Sequence, residues 1–254
     1  MNPKSPEELA DIVSETHLRE RIAPRPGDSL YLHLSDLLLA LQTHATEAKI
    51  DILDFGAGGS PYRAIFPNAN YRRADFAIGN ANGLDFVLDE SLKVAAPENS
   101  FDLVLSTQVL EHVVQPEHYL RECLRVLRPG GKLLLTTHGI YYDHPCPYDL
   151  HRWTADGLAL TCQNSGFKNP TVKKLTTDAR ALLFLYDLHG RQIHRRECSF
   201  FSALFALLFR LHRCLQRSIH RWADGFFPSS RVAENHPGTD KLYINLLVSA
   251  EKPR

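Results

Sequence analysis

The chain has 254 residues, 44% of them hydrophobic and 23% charged, and its 29 Lys plus Arg balance 29 Asp plus Glu. These values are ordinary for a globular protein and leave room for one large α/β domain. Zero formal net charge gives no polyanion an advantage, so no nucleic-acid partner is expected. The cysteines (123, 146, 162, 198 and 214) are odd in number and form no C-x-x-C pair, which argues against a disulfide framework and fits a reducing, cytoplasmic setting. The N-terminus carries no apolar signal core, and no run reaches the roughly 18 apolar residues that span a bilayer.

In chain order, residues 1–49 read as an N-terminal helical segment. Residues 1–27 are polar and end in Pro24, Pro26 and Gly27; a Leu-rich helix over 28–45 follows, with Asp28 or Ser29 as its cap. From residue 50 short apolar runs alternate with helical stretches. Strands are expected near 50–54, 70–74, 84–88, 101–106, 131–137, 170–175 and 241–249. Helices are expected near 116–127, opened by Pro116, and near 154–165, capped by Thr154. This alternation predicts a mainly parallel sheet with helices on both faces. The core spans 50–177, a helical insertion or cap spans 178–238, and 239–254 returns as the final strand. Such an insertion is too long for an ordinary connection between strands.

The stretch IDILDFGAGGSPY (50–62) runs a buried strand into a glycine-rich turn. Gly56 and Gly58 let the backbone bend and approach a ligand without a Cβ in the way. A helix after the turn would present free N–H groups to that ligand. Pro61 stands where the dinucleotide fingerprint has its third glycine, which disfavours a nucleotide-dependent oxidoreductase. Asp75 follows Gly58 by 17 residues, where a carboxylate can accept from both ribose hydroxyls. Gln108 leaves the fourth strand at the end where open α/β sheets bind ligands.

Four segments in order resemble the class I S-adenosylmethionine-dependent methyltransferases, in the type 11-like group: DFGAG at 54–58, YRRADF at 71–76, DFVLDESLKVAAPENSFDLVLSTQVLEHV at 85–113 and LRECLRVLRPGGKLLLTT at 120–137. The resemblance covers roughly 50–167, with Ser60 where many members have a third glycine. It implies a Rossmann-like, seven-stranded sheet whose last strand is antiparallel, with S-adenosyl-L-methionine as cofactor. It also implies that Asp54 lies under the glycine turn, holds backbone N–H groups and helps receive the amino acid end of the cofactor. Asp89 is spaced like the family's adenine-contacting acid. Glu111-His112 matches a frequent family signature, with either a functional role or a structural one at the start of the helix. The Arg128-Pro-Gly-Gly131 turn is expected to end a helix and start a strand.

The segment 137–154, THGIYYDHPCPYDLHRWT, is dense in His, Tyr and Asp and is expected to wall the acceptor pocket. His138, His144 and His151 are candidate bases, and Tyr148 and Arg152 are candidate acceptor contacts. Cys146 with His144 and His151 matches no metal-site spacing, so no metal is expected. Between 191 and 221 seven Arg flank FFSALFALLF (200–209) against one acid, Glu197. That segment has three readings: a cap, peripheral contact with an anionic membrane, or a homodimer face. The expected activity is methyl transfer, to an oxygen of a small-molecule, sugar or lipid-linked acceptor. The alternative is a cofactor-binding protein without catalysis.

Overall fold

In the computed structural model, residues 15–76, 83–145, 147–196, 200–235 and 241–254 are described. Residues 1–14, 77–82, 146 (Cys146), 197–199 (with Glu197 and Cys198) and 236–240 lie outside that description, as do the side chains of 15–17, of 190–196 (with Arg191, Arg195 and Arg196) and of 200–205, the first part of FFSALFALLF.

The strands are β1 (Asp51–Phe55), β2 (Asn70–Phe76), β3 (Phe86–Leu88), β4 (Phe101–Thr107), β5 (Leu127–His138), β6 (Lys168–Thr177), β7 (Val232–Glu234) and β8 (Tyr243–Glu251). They form one sheet in the order β3-β2-β1-β4-β5-β8-β6-β7. β1 to β5 pair in parallel, and β8 runs antiparallel between β5 and β6. The sheet therefore has eight strands where seven were expected. The extra one, β7, is a three-residue edge strand antiparallel to β6, too short to announce itself inside the helical insertion.

Both faces are covered, so the strands bury alternate residues on opposite sides. On one face Leu53, Phe55, Val104, Leu133, Leu135 and Val248 pack under α3 (Pro116–Val126) and α4 (Ala155–Asn164). On the other, Ile52, Leu103, Leu105, Leu134 and Leu247 meet Leu34, Leu37 and Leu41 of α2 (Tyr31–Gln42). α4 opens as expected, with the Thr154 hydroxyl accepting from Gly157 N at 3.1 Å. The cap expected on α2 is absent: Asp28 instead accepts from Arg25 N and Arg19, closing the turn ahead of the helix, which starts at Tyr31. The Arg-Pro-Gly-Gly segment lies inside β5, not in a turn before it. Gly130 N donates to Lys252 O and Lys252 N donates to Gly131 O, so the β8 end draws the segment into the sheet as an irregularity.

The insertion forms a hairpin, α5 (Asp178–Arg196) and α6 (Phe200–Phe226). It rises from the end of β6 and packs Ala181, Phe184 and Ala223 against Tyr31, Leu32 and Ile244. A buried charge cluster fastens it. Arg180 and Asp36 are both fully buried and joined by two hydrogen bonds of 2.9 and 2.8 Å. Arg180 also reaches Asp224 of α6 at 3.0 Å, and Arg231 reaches Asp36 at 2.8 Å. Further along the hairpin, Asp187 takes His220 at 2.8 Å, whose other ring nitrogen accepts from Gly27 N. No helix among the described residues is long and apolar enough to cross a membrane.

Removing one member of a buried pair strands the other charge. Arg180→Ala is expected to lower unfolding stability by about 3–5 kcal/mol in urea denaturation. A loss under about 1 kcal/mol would show that Asp36 is adequately held by Arg231 and Thr176 alone.

Candidate active site

The carboxyl ends of β1, β2, β4 and β5 share one edge of the sheet, where open α/β sheets place ligands. At β1 the chain turns through Gly56 (φ 79°) and Gly58 (φ 47°), and Gly56 N and Ala57 N both donate to Ala74 O of β2. A Cβ on Gly56 would stand 2.9 Å from Val109 Cγ1, whereas one on Gly58 would meet nothing within 4 Å. Gly56 is thus required by packing, and Gly58 faces open space. Asp75 Oδ2 accepts from Gly58 N at 2.6 Å and Oδ1 accepts from Phe76 N at 2.8 Å. Arg73, unremarked in the sequence, straps the same turn by donating to Gly58 O and Ser60 Oγ.

The expected helix after the turn is absent. Only a 3-10 turn at Arg63–Ile65 follows, because 14 residues between β1 and β2 must hold the glycine turn, Pro61 and Pro67. The ligand edge here offers turn N–H groups and no helix terminus. Leu18 of α1 (Glu15–Ile22) covers the turn, at 2.8 Å from where a Cβ of Gly59 would be.

Asp54 is buried beneath the turn, but it accepts hydroxyls where backbone N–H groups were expected: Tyr71 Oη at 2.7 Å, and the Ser60 side chain. Burial pushes its carboxyl up to about 7, against the pull of those two hydroxyls, and the Asp75 charge adds to the rise. Asp89 lies just beyond β3, exposed, and is held low by hydrogen bonds from Ser91. Gln108 adopts φ 57°, an unusual conformation for a non-glycine. Its Nε2 donates to Thr136 Oγ1 at 3.1 Å, while its buried Oε1 has no hydrogen-bond partner.

Glu111 and His112 gather the 138–153 loop. The Glu111 carbonyl accepts from Leu150 N and His151 N, and His112 Nδ1 donates to Tyr148 O at 2.6 Å. The Glu111 side chain is fully buried: Oε2 accepts from Thr137 Oγ1 at 2.9 Å, and burial raises its carboxyl to about 7. His138 is buried, stacks on Tyr141 at 3.9 Å, and places Nε2 3.2 Å from Glu111 Oε1. Its Nδ1 lies 2.9 Å from Asn245 Oδ1. The His144 ring stands edge-on to His138 at 4.9 Å, with Nδ1 donating to Tyr142 O. Burial lowers the pKa of His138, His144 and His112, so all three are held toward the neutral form.

The other sequence candidates part company. His151 donates Nε2 to Val113 O and packs on Trp153. Tyr148 is exposed. Arg152 is spent on the loop itself, with a bidentate pair to Asp149 at 2.6 Å and a bond to Tyr142 O. Burial opposes ionisation of Asp149, but Arg152 holds its carboxyl down to about 2. Two residues the sequence reading missed join His138: His33 of α2, depressed to about 3 by burial, and Asn245 of β8, which contacts both imidazoles. Their signal was polar character on otherwise apolar faces, in YLHLSDLLLA and LYINLLVS.

Asp54 yields a pH test. Its folded pKa of about 7 lies above its unfolded value, so the folded state binds the extra proton between about pH 4 and 7 and loses stability as pH rises through that window. Asp54→Asn removes this dependence. The parent should lose on the order of 1–3 kcal/mol relative to Asp54→Asn between pH 5 and pH 8 in denaturant melts. A constant difference across that range would contradict the assignment.

Residues 53–135 match a methyltransferase-domain family. The chain is 29% identical over 125 residues to a malonyl-[acyl-carrier protein] O-methyltransferase of Methylococcus capsulatus, covering 44% of this chain and 46% of that protein. It is 32% identical over 100 residues to a ubiquinone biosynthesis O-methyltransferase of Xanthomonas oryzae pv. oryzae, covering 34% and 42%. The chain spans less than half the length of these curated relatives. A solved structure of Haemonchus contortus phosphoethanolamine N-methyltransferase 2 in complex with S-adenosyl-L-methionine superposes with a TM-score of 0.53 at 16% identity, covering 98% of this chain and 58% of that one. Such identity speaks for the fold alone. Residues 53–135 are thus similar to a methyltransferase domain, and the sheet built around them has the fold of the superposed methyltransferase.

Proposed function

We propose that the protein transfers the methyl group of S-adenosylmethionine to an oxygen of a small-molecule, sugar or lipid-linked acceptor. The observation that carries this reading is one sheet edge holding both halves of the chemistry. The glycine turn, Asp75 and the unpartnered Gln108 Oε1 lie at β1, β2 and β4, and neutral imidazoles lie at the end of β5. These residues fit the cofactor. Open space at Gly58 admits its chain, Asp75 keeps a lone pair on each oxygen for the ribose, and Gln108 Oε1 can accept from the amino group. In this reading the exposed Asp89 would accept from the adenine amino group, and Asp54 would stiffen the turn from below through Tyr71.

The bound cofactor would supply a methyl group on a sulfonium leaving group. The chain's task is to align the acceptor in line with it and to take the hydroxyl proton. His138 and His144 are the bases this reading favours over His151, whose ring faces Val113 and Trp153. The malonyl-[acyl-carrier protein] and ubiquinone relatives are O-methyltransferases, which supports an oxygen acceptor. The free thiols of Cys123, Cys162 and Cys214 support a reducing, cytoplasmic setting.

The lipid-linked class draws on the hairpin. Leu207, Leu211, Leu215, Trp222 and Phe226 are exposed along one stripe of α6, beside exposed Arg210, Arg217 and Arg221. The hairpin springs from the ligand edge, since β6 ends level with β5 across β8. A stripe of this kind suits the surface of an anionic membrane.

Asp75→Ala is expected to weaken S-adenosylmethionine binding by about 1–3 kcal/mol in calorimetry; unchanged affinity in the folded variant would remove the ribose assignment. Phosphatidylserine vesicles should co-sediment the protein at low salt and release it when Arg210, Arg217 and Arg221 become Glu. No sedimentation, with S-adenosylhomocysteine formed from a water-soluble acceptor, would restrict the acceptor to the small-molecule and sugar classes.

A further inference from the structure

The 138–144 cluster holds more than a base needs. Glu111 Oε1 is fully buried and has no hydrogen-bond donor, and it points at His138 Nε2, 3.2 Å away. On the far side of that ring, Nδ1 meets Asn245 Oδ1 at 2.9 Å, while the Asn245 amide nitrogen donates to His33. An amide oxygen only accepts, so Nδ1 carries the ring proton and Nε2 is left with its lone pair. The unpartnered Glu111 oxygen and the His138 lone pair therefore face each other. His144 completes the group: its Nδ1 donates to Tyr142 O, which leaves Nε2 as the second imidazole lone pair.

We propose that Glu111, His138 and His144 form a site for a borderline divalent cation of the zinc or cobalt kind. Two imidazoles and one carboxylate are the donor set such ions take, and three protein ligands leave positions open for a substrate. Donors about 2.0–2.1 Å from a shared ion stand roughly 3.0–3.4 Å apart. The Glu111–His138 pair stands at 3.2 Å, and all three donor atoms lie within 4.8 Å of one another. The supporting bonds have the form seen around metal-binding histidines, each ring donating its second nitrogen to an oxygen. A second grouping, His112 with His144 and Asp149, meets the same spacing, but both Asp149 oxygens already hold Arg152. Arg21 and Arg152 also face Glu111, the latter with its charge matched by Asp149.

Ion binding stands independently of the methyl-transfer reading; a catalytic part for the ion rests on it. In that case an acceptor hydroxyl on an open position loses its proton to solvent as the ion lowers its pKa. The oxygen then forms a bond to the methyl carbon, the carbon–sulfur bond breaks, and its electron pair returns to sulfur, giving a neutral thioether. His138 and His144 are then ligands, which replaces their part as bases.

The test is a Co2+ titration of chelator-treated full-length protein, followed by visible d–d absorption and calorimetry, with S-adenosylmethionine affinity measured in parallel. One equivalent should bind with a spectrum distinct from the hydrated ion. Glu111→Gln and His138→Gln should each weaken binding more than ~10-fold, while His151→Gln should not. Retained S-adenosylmethionine binding in the variants shows that the fold persists; where a variant loses it, His144→Gln supplies the same comparison. A spectrum that remains that of the hydrated ion, or binding indifferent to both Glu111→Gln and His138→Gln, would overturn the proposal. Turnover that proceeds equally with and without ion, in a protein that binds it, would keep the site and remove its catalytic part.

Discussion

The antiparallel ladder of β8 between β5 and β6 is the interaction on which the arrangement depends. It carries the C-terminal strand into the sheet and sets His138 opposite Asn245. It also provides the rail along which β6 runs to the ligand edge, where the α5–α6 hairpin starts. Slipping this ladder by one residue would turn Asn245 to the face of Leu246 and Val248, under α3 and α4. The histidine cluster and the hairpin's footing on α2 therefore follow from one register. The Arg180–Asp36 pair, fully buried beside that footing, fixes which helix face the hairpin presents.

Polar groups are costly inside a sheet, and this edge buries several: Thr136, Thr137, His138, Asn245, Glu111 and Gln108. Most are satisfied in pairs. The exceptions, Glu111 Oε1 and Gln108 Oε1, occur where the chain leaves β4, and Gln108 also carries an unfavourable backbone angle. Strain and unmet hydrogen bonds concentrated at the carboxyl ends of parallel strands are expected of a site shaped for a ligand. The neutral state of the imidazoles has the same origin, since burial is the leading cause in each.

Much of the fold was legible in the sequence because strands buried on both faces read as unbroken apolar runs. ILDF, LVLS, LLLTT and LYINLLV all became strands, in the expected order. The places of Gly56 in the turn after β1 and of Asp75 and Gln108 at two strand ends were legible because they are fixed locally. What escaped notice depended on distance. β7 exists only because β6 offers it an edge, and Asn245 matters only because His33 and His138, 212 and 107 residues away, meet it. The basic character of Arg152 suggested an acceptor contact, yet Asp149 three residues earlier consumed it. The missing helix after the glycine turn was a failure of length: two prolines within a short connection leave no room for one.

The central claim is that this sheet edge receives S-adenosylmethionine. Amide hydrogen exchange with and without the cofactor tests it most directly. The account predicts slowed exchange at residues 56–60, at 75–76 and at 107–109, with the opposite edge around Thr43–Thr46 unchanged. Protection absent from the glycine turn, or produced there equally by NAD, would contradict it.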